Sequence, residues 1–92
     1  MRTRGPAWND ALSIEEQVDW RPHADFMNAL VDDGFMVLGG PLTGTRDVLL
    51  IVRAEDQAEV EALLADDCWS VKTLLRTLWI TPWWLRLGAL SP

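Results

Sequence analysis

The chain has 92 residues, 49% of them hydrophobic, with six tryptophans and a formal net charge of −6. This is one small domain with more apolar material than so small an interior holds, and the excess points to a second subunit. The acidic balance and the scattered basic residues exclude a surface for phosphate backbones or anionic lipid, so neither nucleic acid nor a membrane is expected as a partner.

The start, Met1-Arg-Thr-Arg-Gly-Pro6, is basic but has no apolar run after it, so it does not read as a signal peptide. Residues 1–12 read as irregular, with Gly5, Pro6, Asn9 and Asp10 as turn formers. Ser13-Ile-Glu-Glu16 has capping-box spacing and predicts a short helical turn. Pro22, which fits a first turn, opens the main helix, predicted from Pro22 to Asp33 with Gly34 as the residue that closes it. On this helix the only histidine, His23, falls in line with Phe26, Met27, Leu30 and Val31, one face of a helix. Burying the charged form of such a group is costly without a partner.

Phe35 to Leu38 predicts a short strand ended by Gly39-Gly40-Pro41. Asp47 to Arg53 predicts a second. Both are apolar on both faces, so both faces of the sheet need cover, and on a chain this small one cover is expected to be a partner chain. Ala54 to Ala65 predicts a second helix that buries Val60, Leu63 and Leu64 and leaves Glu55, Asp56, Glu59 and Glu61 in solvent. Cys68 to Leu75 predicts a short helical turn. Arg76 to Thr81 predicts a third strand, with Leu78 and Ile80 on one face and Trp79 on the other. The tail closes at Gly88, giving a single domain over 1–92 with its core over about 13–88. Cys68 is the only cysteine, so no internal disulfide forms and the chain reads as cytoplasmic. No run approaches the ~20 apolar residues of a membrane span. One cysteine and one histidine are too few for a structural zinc site, and no cofactor motif is present.

The visible order is helix, strand, strand, helix, strand. A strand in front would make it βαββαβ, the ferredoxin-like split unit of an α+β protein. Residues 1–4 read as too few and too polar for a buried strand, so the first strand is expected to be short or missing, a lost upstream segment being favoured.

At this point the chain resembles the YCII-related proteins. The resemblance is carried by Gly5-Pro-Ala-Trp8, Trp20 ahead of His23, the Phe26 to Leu38 unit, Gly39-Gly-Pro-Leu42, Ala65-Asp-Asp-Cys-Trp69 and Ile80-Thr-Pro-Trp83. These cover roughly residues 5 to 88. The resemblance implies a ferredoxin-like domain that pairs into a dimeric α+β barrel. It also implies a catalytic pair, carried here by His23 and Asp67. Cys68 stands where the family usually has Pro.

A carboxylate bonded to one imidazole nitrogen fixes the tautomer and leaves the other nitrogen to move a proton near neutral pH. That suits isomerisation or elimination on a small molecule without metal or cofactor, a lyase or isomerase akin to a muconolactone isomerase or a dehydrochlorinase. In this scheme the N–H groups of Gly39 and Gly40 meet a developing oxyanion. Phe26 and Trp83 wall an apolar pocket for the substrate. Each role has a plainer counterpart: His23 as a satisfied core residue, Asp67 as a helix cap, the glycines as a strand terminator, the tryptophans as core or dimer contact. Asp32-Asp33 reads as a solvated helix end. Cys68 has no second histidine to activate it and reads as a small apolar residue. The rival function is a non-catalytic dimeric module that binds a small ligand or a protein partner. The discriminating geometry is whether His23 and Asp67 meet beside an open cavity.

Overall fold

A computed structural model describes residues 1–88. Four strands and three helices follow one another in the order expected for a small α+β protein. Strand β1 is Arg2–Arg4, helix α1 Trp20–Asp32, β2 Met36–Pro41, β3 Asp47–Val52, helix α2 Gln57–Ala65, helix α3 Cys68–Val71 and β4 Leu75–Thr77. The sheet order is β2-β3-β1-β4, with every neighbouring pair antiparallel.

Of the two expectations for the front strand, short or missing, the short strand is what is found: β1 has three residues. Strand β1 is present and central, with Arg2 in register with Val48 on one side and Thr77 on the other. Polarity did not prevent burial, because each side chain finds a partner. Arg2 reaches Ser70, and the Thr3 hydroxyl donates to the Arg46 carbonyl. Gly5 follows at once, where a Cβ would lie 2.2 Å from the Thr73 carbonyl oxygen. Only glycine lets the backbone pass there, and its N–H donates to the Leu74 carbonyl. That passage carries Trp8 into the core.

Ser13 and Glu16 flank a single 3₁₀ turn over Ile14–Glu16, in the predicted place. Helix α1 begins at Trp20, two residues before the predicted start, because Pro22 is accommodated inside its first turn. Gly34 adopts φ 82° just beyond the C-cap Asp33, as predicted. His23 and Leu30 are buried on α1 and Phe26 and Met27 half-buried, but Val31 is exposed, since the stripe drifts off the sheet at the last turn. Strand β2 runs on through Gly39 and Gly40 instead of ending at them, because both continue the ladder opposite Leu50 and Leu49. Helix α2 begins at Gln57 and not at Ala54. Asp56 caps it, accepting from the Glu59 N–H. Strand β4 is shorter than the predicted Arg76 to Thr81 and stops at Thr77. Its facing strand has three residues, and two further bonds to Met1, from the Leu78 N–H to its carbonyl and from its amino group to the Trp79 carbonyl, end the pairing.

The helices cover one face of the sheet. Val48, Leu50 and Val52 alternate onto that face and join two apolar clusters. One cluster is Leu30, Phe35, Met36, Val60 and Leu64; the other is Trp8, Trp69, Leu74 and Leu75. The opposite face presents Leu38 beside Ile51, with Leu38 56% exposed. Among the described residues, no helix is long and apolar enough to cross a membrane.

Candidate active site

Helix α3 is a single turn, and Asp67 is its N-cap. One carboxylate oxygen, Oδ1, faces the Trp69 N–H at 3.4 Å. The other, Oδ2, lies 2.7 Å from Nδ1 of His23. The carboxylate thus faces the Trp69 N–H and the imidazole at once, one oxygen to each. A bond across 44 positions of sequence ties the first turns of α1 and α3. Asp67 is only 1% exposed and His23 8%. With Cys68 next to it, the Asp67 carboxylate is aimed at the imidazole.

The imidazole is mounted on an aromatic stack. Its ring lies 3.8 Å from that of Trp69 at an interplanar angle of 9°. Trp69 is in turn fixed by its indole N–H, which donates to the Val18 carbonyl at 2.7 Å. Trp8 meets it edge-on at 5.4 Å, and Arg4 covers Trp8 from outside. Trp20 tilts against both His23 and Trp69. The orientation of the ring is therefore set by packing as well as by the Asp67 bond.

Arg2 is the site residue that sequence reasoning missed. It is 3% exposed, and its Nη2 donates to the Ser70 hydroxyl at 2.7 Å. Ser70 belongs to the same turn as Asp67, whose backbone carbonyl accepts from the Ser70 N–H. Arg2 Nε is buried without a hydrogen-bond partner. Burial pushes the guanidinium below its ordinary value, while the negative charge of Asp67 works in the other direction. The only hint in the sequence was Arg2 itself in a segment set aside for its polarity.

The other expected site residues are not brought to the pair. Phe26 packs against the cluster of Leu30, Phe35 and Val60 as core wall. Gly39 and Gly40 lie on β2, the outer strand, with β3 and β1 between them and β4. Glycine at position 39 makes room for Leu50, whose Cδ2 would stand 2.8 Å from an added Cβ. Trp83 is 62% exposed and lines a cavity of about 830 Å³ between β3, α2 and the segment 79–85. Phe26 does not line that cavity, so the two aromatics do not form one pocket. Neither His23 nor Asp67 borders it, whereas Arg2 does.

Cys68 is half-buried, with Sγ 3.8 Å from the Asp19 carbonyl. Burial, reinforced by the carboxylates of Asp67 and Asp19, pushes its thiol up, which suits an inert side chain and not a nucleophile. Among the described residues, no group of three or more His, Cys, Asp or Glu side chains is placed to hold a metal ion. Comparison of the chain with protein-family models, with curated proteins and with solved structures gives no match.

Proposed function

We propose that this protein is a small-molecule lyase or isomerase of the YCII-related type, with His23 as acid/base and Asp67 as its orienter. The observation that carries the reading is the 2.7 Å contact between His23 Nδ1 and Asp67 Oδ2. With Nδ1 engaged by the carboxylate, Nε2 is the nitrogen left for proton transfer. It takes a proton from carbon next to a carbonyl. The electron pair then forms a double bond, and the proton returns at another carbon or leaves with a halide as HX. The strand order, with the first and third strands together at the centre, supports a ferredoxin-like unit. The uncovered apolar face around Leu38 and Ile51 supports a homodimer closed through the sheets, as in a dimeric α+β barrel. A lone cysteine fits a reducing, cytoplasmic setting.

The test is turnover by the purified protein across a panel of small lactones and halogenated phenols. Any activity found should fall by about 10²–10⁴-fold in His23→Gln, the usual worth of a positioned acid/base. Activity that survives at full rate in that variant defeats the assignment.

A second reading is favoured by one observation. His23 is nearly sealed under Trp69, and the described cavities do not reach it. On this reading the chain is a non-catalytic dimeric module for a small ligand or protein partner, and the pair is a structural clamp. A dimer in sedimentation with no turnover on any panel member is its signature.

A further inference from the structure

The cavity between β3, α2 and the segment 79–85 has a volume of about 830 Å³, within the range of small-molecule sites. Leu50, Val60, Leu64, Ile80 and Trp83 give it apolar walls. Arg2 lines it too, and Arg2 is 3% exposed. Its side chain stands on the helix-covered face of the sheet. The register partner Val48 packs on that face, and Arg2 Nη2 meets Ser70 of α3 there. Arg2, Leu64 and Thr77 also line a smaller cavity that includes Ser70, so Arg2 stands between the two. A guanidinium has five N–H donors. Among the described residues Arg2 makes one side-chain hydrogen bond, to Ser70, and its Nε is buried without a partner. No carboxylate among those residues pairs with it within 4.0 Å.

A buried cation with spare donors beside an apolar chamber is complementary to an anion with an apolar body. We propose that this cavity is a binding site for a small monocarboxylate, its carboxylate paired with Arg2 and its aliphatic or aromatic body held against Leu50, Val60, Leu64 and Trp83. The surroundings favour one negative charge over several. Glu55 and Asp56 line the same cavity and are exposed, against one exposed cation, Arg53, and the chain as a whole carries a net charge of −6. A cationic ligand is repelled by Arg2, and a neutral one leaves its donors unpaired. The site is separate from the His23–Asp67 pair, neither member of which lines the cavity, so it stands or falls apart from the acid/base reading.

Octanoate, octanol and octylammonium share one apolar chain and differ in charge, and titrating each into the wild type tests the site by calorimetry and tryptophan emission. Octanoate should saturate at one equivalent and bind at least about tenfold more tightly than octanol, the order expected of one charge-assisted hydrogen bond. Octylammonium should not bind. The Arg2 Nε–H resonance should move with octanoate and stay with octanol. Arg2→Gln should weaken octanoate at least about tenfold and leave octanol unchanged, while Arg2→Lys, which keeps the charge but not the fork, should retain the preference for octanoate. Trp83→Ala, at a position 62% exposed, should keep the fold and weaken octanoate and octanol alike. Equal affinity for octanoate and octanol overturns the proposal, as does the absence of saturable octanoate binding. So does a folded Arg2→Gln that binds octanoate as the wild type does. If Arg2→Gln does not fold, the three ligands on the wild type and on Trp83→Ala decide it by the same criteria.

Discussion

Asp67 has two tasks on two oxygens, and substitution can separate them. Asp67→Ala removes the cap of α3 and the imidazole's partner together. The cap is worth about 0.5–2 kcal/mol. Leaving a buried imidazole nitrogen without its partner costs about 1–3 kcal/mol. The sum is about 1.5–5 kcal/mol, a large part of the 5–15 kcal/mol by which an ordinary domain is stable. For a domain of this size each kcal/mol is worth about 4–8 °C in Tm. Asp67→Ala should therefore melt at least about 6 °C below the wild type, followed by far-ultraviolet circular dichroism. Asp67→Ser retains a capping oxygen but is too short to reach His23, so it should recover about 1 kcal/mol of that loss. In a double-mutant cycle, His23→Gln should couple strongly to Asp67→Ala and to Asp67→Ser alike. An Asp67→Ala variant within 0.5 kcal/mol of the wild type, or zero coupling, would refute the clamp that joins α1 to α3.

Cys68 is the first residue of α3, and Asp67 before it has ψ 132°, the extended setting a following proline demands. Cys68→Pro should thus stabilise the fold by about 0.4–1 kcal/mol in urea denaturation, with the His23 contact kept. Gly5→Ala drives a Cβ into the Thr73 carbonyl and should cost about 2–3 kcal/mol, whereas Gly34→Ala, open but at φ 82°, should cost about 1 kcal/mol. The Glu16 carboxyl is held below its ordinary value chiefly by the Ser13 backbone N–H. Its contribution is therefore present above the unfolded-state value of 4.5 and lost as the pH falls through its lower folded value, so Glu16→Gln should flatten that part of the acid limb of the stability curve. Leu38→Glu should turn a sedimenting dimer into a monomer without lowering helix content, if the open sheet face is the contact.

The element order was legible because period and punctuation agree along most of the chain. Gly34 ends a helix, the apolar run over Asp47 to Val52 is a strand, and Ser13 with Glu16 marks a turn. What failed shares one cause, the tertiary partner. Residues 2–4 look too polar for a buried strand, yet two flanking strands satisfy their backbone and α3 meets Arg2. Residues 78–81 look like strand, but only Met1 faces them, bonding Leu78 and Trp79. The His23–Asp67 pair has no local signature at all: Asp67 reads as a cap, His23 as a stripe residue, and 44 positions separate them. It was the resemblance, and not spacing, that pointed to both. Gly39, Gly40, Phe26 and Trp83 were chosen for chemistry that their residue types allow. The sheet order and the course of residues 79–85 then put them elsewhere.

The decisive question is whether the far nitrogen of His23 can be reached while the near one is held. Carbethoxylation of the single histidine, followed by absorbance and by mass after digestion, answers it on the native dimer or monomer alike. The account predicts one equivalent, on Nε2 of His23, in the folded protein, slowed relative to free imidazole but complete before any unfolding. Reaction only in step with unfolding by urea would contradict a proton-handling role and leave His23 and Asp67 as a structural clamp.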